Sequence, residues 1–336
     1  MKILIVKLSS LGDVVHAMPA VQDLRRAFPQ AQIDWVVERD FAPLVRRCEG
    51  VHRVIPCELR RWRRAPCSAA TRAAWRAFKA ELQQDAYDVV IDLQGLTKSA
   101  LVAWLARLAP QGRRLGLANR TEGSSFEAPA RWVAQQAITV PGHIHAVARA
   151  REVCARGIGY DLQDSLSFGL LAQVDPAHAA IESVARSAFR GAPVVFVHGT
   201  SRADKEWPVP AWVELGQRLV QQAHPVVLIH GNDAELARAQ QIAGQIPGAS
   251  VWPRMQLDAL CDAMAASAGV IGVDSGLSHV AVALGLAHVQ IYNLETAWRT
   301  GPQGAAHQLS VFAQPAPSVA AVWQGWLAVA SARGRS

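Results

Sequence analysis

The segment Lys2–Asp13 reads KILIVKLSSLGD and joins a short apolar, β-branched run to a loop of small and polar residues. An amphipathic pattern follows over Val14–Phe28, and a second apolar run covers Ile33–Val37. A strand, a tight loop, a helix and another strand form a βαβ unit, whose strands are parallel. The loop lacks the full GxGxxG pattern, so it does not support a dinucleotide site.

The same alternation continues along the chain in two series. The first series of predicted strands is Lys2–Leu8, Ile33–Val37, Arg53–Pro56, Asp88–Leu93 and Arg113–Leu117. The second is Val194–His198, Val226–His230, Ser250–Trp252, Val270–Val273 and Val289–Tyr292. The pattern loosens around Gly157–Val174, so we predict an α/β protein with two Rossmann-like domains and parallel sheets. A last helix is predicted over Ser318–Ala332, and we expect it to pack back across the domain boundary.

Composition limits the class of protein. The chain has 336 residues, 51% of them hydrophobic, with 34 Lys and Arg against 27 Asp and Glu and a formal net charge of +7. Such a chain can bury a sizeable core, which excludes wholesale disorder. The excess charge is mostly arginine, which suits forked contacts to carboxylates and phosphates. Nucleic acid, an anionic membrane surface and acidic small molecules all remain open as partners.

Targeting and redox signals are weak. No apolar run approaches the roughly 18–20 residues of a spanning helix, and the apolar stretch Ile3–Val6 is too short for a signal peptide. The cysteines are odd in number and scattered: Cys48, Cys57, Cys67, Cys154 and Cys261. This pattern predicts reduced thiols in a cytosolic protein.

Ligands of open α/β sheets bind beyond the carboxyl ends of the strands, so the loops after the strands are the candidate sites. Asp13 begins a predicted helix and is either an N-cap or a general base. Thr200, Ser201 and Lys205 lie in one loop that either holds a diphosphate or is merely solvated. The segment Asp274–Gly276 starts another helix, which either binds a phosphate or is capped by Asp274.

Three further positions have a structural and a functional interpretation. Glu235 either accepts ribose hydroxyls or stabilises the first turn of a helix. Lys98 follows a strand and a turn and is expected to face the site. The run Arg60–Arg64 is interpreted as a loop whose guanidinium groups surround a tryptophan, and it is either a solvated face or a grip for a polyanion. No recognised nucleic-acid module accompanies that run.

In their joint order and spacing, these segments resemble the lipopolysaccharide heptosyltransferases of glycosyltransferase family 9, over nearly the whole chain. The segments that carry the resemblance are Ile3–His16, Asp34–Glu38, Arg60–Arg63, Asp92–Leu96, Asp204–Pro208 and Val273–His279. The arginine–tryptophan block favours the subfamily that adds the first heptose over the second and third subfamilies.

The resemblance implies a GT-B fold with two facing Rossmann-like domains. Residues 1–165 would bind the acceptor, residues 166–316 would bind ADP-heptose, and residues 317–336 would form a C-terminal helix that packs back on the N-terminal domain. The implied reaction is an inverting, metal-independent transfer of L-glycero-D-manno-heptose from ADP-heptose to the inner Kdo of Kdo2–lipid A. The alternative is another heptosyltransferase, or a related nucleotide-sugar glycosyltransferase, with a different core acceptor.

The resemblance also implies partners and location. No cofactor or metal is expected, because ADP-heptose is a substrate, and nucleic acid is not expected to be a partner. The protein is expected to be a monomer in the cytoplasm, peripherally associated with the cytoplasmic face of the inner membrane.

By resemblance, Asp13 is the base that deprotonates the acceptor hydroxyl, and Lys205 stabilises the departing diphosphate. The implied donor-binding residues are Thr200, Ser201, Lys205, Glu235, Met255, Asp274, Ser275, Gly276 and Leu277. The implied acceptor-binding residues are Lys7, Ser9, Ser10, Arg60, Arg61, Arg63, Arg64, Lys98 and Arg120. The chain departs from the family after Tyr292, where Asn293–Trp298 replaces Gly-Pro-Thr, and after Arg120, where Thr-Glu-Gly replaces Glu-Pro. Ser201 replaces a usual threonine and keeps its hydroxyl.

Overall fold

The computed structural model describes residues 1–172 and 191–333. The chain divides into two compact units, Met1–Leu171 and Ala172–Ser336, whereas the sequence placed the boundary between residues 165 and 166. Each unit contains a six-stranded sheet in which every described pairing is parallel. In the part of the chain that is described, no helix has both the length and the apolar composition needed to cross a membrane.

In the first unit, the strand order places β1 in the middle of the sheet. The strands are β1 Lys2–Val6, β2 Gln32–Glu38, β3 Val51–Cys57, β4 Ala86–Asp92, β5 Arg107–Leu117 and β6 Gln136–Ile138. Their order across the sheet is β3-β2-β1-β4-β5-β6. After β1 the chain adds β2 and β3 on one side of the sheet and then β4, β5 and β6 on the other side. The loops that follow β1 and β4 therefore diverge, and the space between them is the expected ligand position.

The helices of the first unit cover both faces of its sheet. They are α1 Leu11–Ala27, α2 Ala42–Val45, α3 Leu59–Trp62, α4 Ala69–Leu82, α5 Thr97–Leu105, α6 Ala128–Val133 and α7 Ala146–Ile158, with a 3₁₀ turn at Arg39–Phe41. Side chains of α3, α4, α5 and α6 join Leu4 and Val6 of β1 in one hydrophobic core. Because parallel crossovers are right-handed, α1, which leads the other way across the sheet, lies on the opposite face, where it contacts α7.

The second unit repeats this architecture. Its strands are β7 Val194–Val197, β8 Val226–Leu228, β9 Ser250–Val251, β10 Gly269–Val273, β11 His288–Tyr292 and β12 Gln308–Phe312, in the order β12-β11-β10-β7-β8-β9. Its described helices are α8 Val209–Gln221, α9 Asp233–Ala243, α10 Leu257–Ala265, α11 Gly276–Ala283, α12 Ala297–Thr300 and α13 Val319–Arg333, with a 3₁₀ turn at Ala203–Lys205. The switch point lies between β7 and β10, so the loops after these strands are the candidate site.

The C-terminal helix packs within the second unit, where α13 contacts β11, β12 and α8. The expected packing of residues 317–336 on the first domain stays a prediction. Val322, Trp326 and Val329 recur at helical spacing and are buried in the core of that unit. This apolar stripe explains why the helix is part of the second unit.

The Trp326 ring is expected to account for much of the stability of this helix. Trp326 is 2% exposed, and its ring lies so close to Gly269 that a Cβ there would be 2.9 Å away. We expect Trp326→Ala to lower the free energy of unfolding of the second unit by about 3–5 kcal/mol, measured by denaturant titration. Leu327 is 41% exposed, and Leu327→Ala is the matched control. Equal losses for both variants would contradict the described packing.

Candidate functional site

The loop after β1 is held by a side chain from the loop after β4. Gln94 Oε1 accepts hydrogen bonds from the backbone N–H groups of Leu8, at 2.8 Å, and Ser9, at 3.2 Å. Its Nε2 donates to the carbonyl of Ser9 at 2.6 Å. Asp92, at the end of β4, accepts in turn from the N–H of Gln94 at 2.8 Å. The two central strand ends of the first unit are therefore joined into one fixed platform.

Asp13 lies in the first turn of α1, where it bonds to the N-cap residue Ser10 and belongs to a charged cluster. Its Oδ2 accepts from the backbone N–H and the Oγ of Ser10, at 3.2 and 2.9 Å. Its Oδ1 lies 3.4 Å from Lys7 Nζ and 3.7 Å from Arg149 Nη2. The N-cap residue is therefore Ser10, and Asp13 completes a capping box from the third helical position, so the interpretation of Asp13 as the N-cap is wrong. The Asp13 side chain remains 38% exposed, so the carboxylate is still accessible to a ligand.

The charges around Asp13 determine its protonation. Burial tends to raise the pKa of Asp13, but the positive charges of Lys7 and Arg149 outweigh burial and hold that pKa well below its usual value. Burial lowers the pKa of Lys7, while the Asp13 carboxylate partly opposes that shift. Lys7 also donates to the carbonyl of Leu93 at 3.1 Å. Asp13 is therefore a carboxylate at neutral pH.

Ser9 is the meeting point of two predicted acceptor-binding cations. Its Oγ accepts from Lys98 Nζ at 3.1 Å and from Arg60 Nη2 at 3.4 Å. Glu38, at the end of β2, is 7% exposed, and its Oε1 has no hydrogen-bond partner among the described residues. Burial raises the pKa of Glu38, and Arg60 and Lys98 partly offset that shift. The structure therefore adds a buried carboxylate to this cluster.

The arginine run differs in part from its interpretation as a loop around a tryptophan. Arg60 and Arg61 lie on the short helix α3. Trp62 is buried against Trp75 and Phe78, with ring centroids 5.5 and 5.4 Å away. Arg60, Arg61, Arg63 and Arg64 are exposed. Burial of an aromatic ring stabilises the folded state, so Trp62 anchors the segment. The guanidinium groups face solvent.

Arg120 is the predicted acceptor residue that the structure leaves outside this cluster. It is exposed, and its Nε donates to the carbonyl of Ser124 at 3.2 Å within its own loop. The loop is tied back by Asn119, which donates to the carbonyl of Val140 at 3.0 Å. No described contact joins Arg120 to Asp13 or Ser9.

In the second unit, Asp274 joins the loop after β7 to the start of α11. Lys205 Nζ lies 2.5 Å from Asp274 Oδ2, and His279 Nε2 lies 3.5 Å from Oδ1. Thr200 Oγ1 donates to the Asp274 carbonyl at 3.2 Å, and Thr300 Oγ1 donates to Oδ1 at 3.4 Å. Burial tends to raise the pKa of Asp274, but His279 and Lys205 hold it well below its usual value. Lys205 is therefore ion-paired with a carboxylate.

The start of α11 presents unused donors. Ser275 is the N-cap residue, and its buried Oγ has no hydrogen-bond partner among the described residues. Gly276 and Leu277 follow at the first helical positions, where backbone N–H groups have no partner within the helix. Hydroxyl and N–H donors beside Lys205 form a suitable phosphate-binding arrangement. Ser201 is exposed in the same loop as Thr200.

Glu235 lies in the first turn of helix α9, behind the N-cap residue Asn232, which supports the structural interpretation of Glu235. Its Oε2 accepts from the Gly231 N–H at 2.6 Å, and its Oε1 accepts from Asn232 Nδ2 at 3.0 Å. The carboxyl group also lies against Gly199, where a Cβ would be 2.8 Å from Glu235 Cδ. The carboxylate therefore lies beside the loop that carries Thr200, where its remaining lone pairs can still accept from a ribose hydroxyl.

Met255 and Leu277 are each partly buried and pack against one hydrophobic cluster behind β7 and β8. Met255 therefore fills part of the core, while its flexible thioether is only partly covered. The unusual Asn293–Trp298 segment also reaches the site loop. Asn293 Nδ2 donates to the Asp204 carbonyl at 2.5 Å, so the segment supports the turn that carries Lys205.

Sequence reasoning missed five residues of these clusters. They are Glu38, Gln94, Arg149, His279 and Thr300. Glu38, Gln94 and His279 lie inside the quoted motifs, and their positions at strand or helix ends were an available signal. Arg149 and Thr300 come from distant helices, and no local pattern marks them.

The comparisons with known proteins agree with one another. The model of glycosyltransferase family 9 (heptosyltransferase) matches residues 75–320. A Pseudomonas aeruginosa protein named lipopolysaccharide heptosyltransferase 1 is 37% identical over 310 residues, which are 90% of this chain and 82% of that protein. The structure of E. coli heptosyltransferase WaaC with ADP matches with a TM-score of 0.82 and 33% identity, covering 96% of this chain and 98% of that one. These matches confirm the predicted α/β class and the GT-B fold.

Proposed function

The chain belongs to glycosyltransferase family 9, the heptosyltransferases, and from this membership we propose how its two clusters transfer a heptose. The chain is a glycosyltransferase, and the relatives that carry the name lipopolysaccharide heptosyltransferase 1 support heptose transfer in lipopolysaccharide core synthesis. We propose the finer reaction as well. The donor is ADP-L-glycero-D-manno-heptose, the acceptor is the inner Kdo of Kdo2–lipid A, and the anomeric configuration is inverted.

The observation that carries the proposal is Asp13, an ionised and accessible carboxylate among cations. In a single displacement, the acceptor oxygen attacks the anomeric carbon while its proton passes to Asp13 and the bond to the diphosphate breaks. One base is sufficient for this step. Lys7, Lys98 and the exposed arginines supply positive charge for the Kdo carboxylates and the lipid A phosphates.

The second cluster supports the donor half of the proposal. Negative charge grows on the diphosphate as the sugar leaves, and donors placed there in advance lower the barrier. Lys205, Thr200, Ser275 and the N-terminal N–H groups of α11 are such donors. A solved relative is titled as WaaC with ADP-2-deoxy-2-fluoro heptose, which supports an ADP-sugar as the donor here. The stabilising charge comes from these side chains in our mechanism, which needs no metal.

The location follows from the acceptor. A lipid-borne acceptor with cytoplasmic ADP-heptose requires a protein at the cytoplasmic face of the inner membrane, so we propose peripheral association there. We propose that the protein acts as a monomer.

A coupled assay of ADP release tests the function. We expect turnover with ADP-heptose and Kdo2–lipid A, and none with the acceptor that already carries the first heptose. Activity with the heptosylated acceptor alone would favour the alternative, a heptosyltransferase with a different core acceptor. Transfer of a different nucleotide sugar at a higher kcat/KM would contradict the proposed donor.

A further inference from the structure

The positive charge of the chain is concentrated in one segment. Residues 59–80 contain seven Arg or Lys residues and no Asp or Glu, and the other 27 Lys and Arg residues are matched by 27 Asp and Glu residues. Helices α3 and α4 and their connection, which also include Glu81, therefore carry +6 of the formal net charge of +7. Ordinary soluble surfaces intersperse the two signs.

Helix α4 presents part of this charge as a stripe. Arg72, Arg76 and Lys79 are exposed and follow one another at spacings of four and three residues, which puts them on one side of the helix. Among the residues that the structure describes, none of the three has an acidic partner. The buried residues of the helix, Phe78 and Leu82, lie on a different side. The cationic side is therefore available to an anionic partner.

Two tryptophans are exposed on the helices next to α4, which are α5 and α6. Trp104 on α5 is 61% exposed and Trp132 on α6 is 78% exposed, and Leu101 lies one turn before Trp104. The other nine of the 11 tryptophans are buried or partly buried. An indole has an apolar body and one N–H donor, which suits the interface between water and a lipid bilayer.

These features belong to one surface. Phe78 of α4 and Val102 of α5 are buried in one core, and Val133 of α6 packs against it, on the same face of the sheet. The ends of α4 and α5 are joined by Gln83, whose Nε2 donates to the Leu105 carbonyl at 2.7 Å. The exposed sides of the three helices therefore point away from the same face of the sheet. A groove of about 630 Å³ beside them has Trp62 and Trp75 among its walls and Arg63, Arg72 and Arg76 among its lining residues.

We propose that this outer surface, made by Arg72, Arg76, Lys79, Leu101, Trp104 and Trp132, binds the anionic phospholipid bilayer itself, separately from the acceptor-binding residues. The inference rests on the proposed function only in that the acceptor is membrane-borne. Charge complementarity supplies long-range attraction to anionic lipid, and the indoles enter the interface once the surface is close. Together the two features distinguish a bilayer from a soluble polyanion, which has no apolar layer to take the tryptophans.

Vesicle sedimentation with the full-length protein tests the surface without any acceptor. We expect at least tenfold tighter binding to vesicles with about 30% phosphatidylglycerol in phosphatidylcholine than to phosphatidylcholine alone, weakened by high salt. Arg72→Gln/Arg76→Gln/Lys79→Gln and Trp104→Ala/Trp132→Ala should each lose at least tenfold in affinity. The control Arg46→Gln/Arg156→Gln/Arg254→Gln removes three arginines that are exposed elsewhere and should stay within twofold of the original protein. Circular dichroism checks that all variants fold.

The outcomes separate this inference from the proposed function. Equal losses in the control variant, or no preference for anionic vesicles, would overturn the docking surface. A dimer that the tryptophan variant dissociates, with vesicle binding unchanged, would make the surface an interface between two copies and overturn the proposal. Transfer to an O-deacylated, water-soluble acceptor should be the same in the surface variants. Vesicle binding without any heptose transfer would refute the proposed function and leave the docking surface standing.

Discussion

Asp13→Asn is expected to lower kcat by about 10²–10⁴-fold, the usual contribution of a positioned general base. An amide keeps the size of the carboxyl group and can still accept from the Ser10 N–H, so the cap is largely preserved while the base is lost. The proposed donor-binding residues all lie in the second unit, and we therefore expect the Kd for ADP-heptose to change by less than about tenfold, or ~1.4 kcal/mol. ADP release and calorimetric titration of the donor measure the two quantities.

Ser10→Ala is the matched control for this prediction. It removes the hydroxyl that donates to Asp13 but keeps the backbone N–H and the carboxylate, so kcat should fall by less than tenfold. A kcat within tenfold of the unmodified enzyme in Asp13→Asn would refute Asp13 as the base. Glu38 would then be the next carboxylate to replace, because it is buried beside Arg60 and Lys98.

The pH dependence gives a second view of the same residue. Lys7 and Arg149 keep the pKa of Asp13 low in the free enzyme. We therefore expect no decrease in kcat/KM from protonation of Asp13 between pH 5 and 7. Ordinary carboxyl groups, with a pKa of about 4, are also ionised in this range. An acceptor carboxylate near Lys7 and Arg149 would offset their charge and raise the pKa of Asp13 in the complex. The acid limb of kcat should therefore lie at a higher pH than the acid limb of kcat/KM.

Lys205→Ala should reduce kcat by about 10²–10³-fold, the typical effect of removing one donor that stabilises charge in the transition state. The same change leaves the buried Asp274 carboxylate with His279 but without its closest cation, in a site that must accept a diphosphate. ADP affinity should therefore fall for two reasons, a lost attraction and a new repulsion. Adding Asp274→Asn removes the repulsion, so Lys205→Ala/Asp274→Asn should bind ADP more tightly than Lys205→Ala.

The control for this pair of variants is Arg202→Gln. Arg202 lies in the same loop but is exposed and paired with Asp204, so we expect ADP affinity to stay within about threefold. Calorimetric titration of ADP on the unmodified protein and these three variants shows whether removing the Asp274 carboxylate restores affinity. Weaker binding by the double variant than by Lys205→Ala would show that Asp274 contributes to nucleotide binding by some means other than pairing with Lys205.

The sequence predicted the βαβ alternation because strands buried on both faces form continuous apolar runs. Each of the ten predicted strands overlaps an observed one. The strands β6 and β12 were missed, and both lie at sheet edges, where strands are partly exposed and their apolar signal is weaker. The final helix was predicted as an element, but its packing within the second unit was not, because an apolar stripe shows that a helix packs without showing against which surface.

The candidate sites divide in a similar way. The loops after strands were singled out because a parallel sheet brings its strand ends to one edge, and the structure joins Lys7 with Asp13 and Lys98 with Ser9 there. The pairing of Lys205 with Asp274, 69 residues apart, and of Asp13 with Arg149 depends on tertiary structure alone. Trp62 was grouped with the arginines around it because residues adjacent in sequence were assumed to share a surface. In the structure Trp62 is buried, whereas the four arginines are exposed.

The ion pair between Lys205 and Asp274 has a consequence for ligand exchange. The ammonium group of Lys205 already has the Asp274 carboxylate as its anionic partner, and a diphosphate would compete with that carboxylate for the same cation. The free energy of nucleotide binding then includes only the difference between the pair of Lys205 with the diphosphate and the pair of Lys205 with Asp274. An affinity moderated in this way favours rapid departure of ADP, the step that limits turnover in many enzymes. Competition from the Asp274 carboxylate would thus lower the affinity for the product ADP.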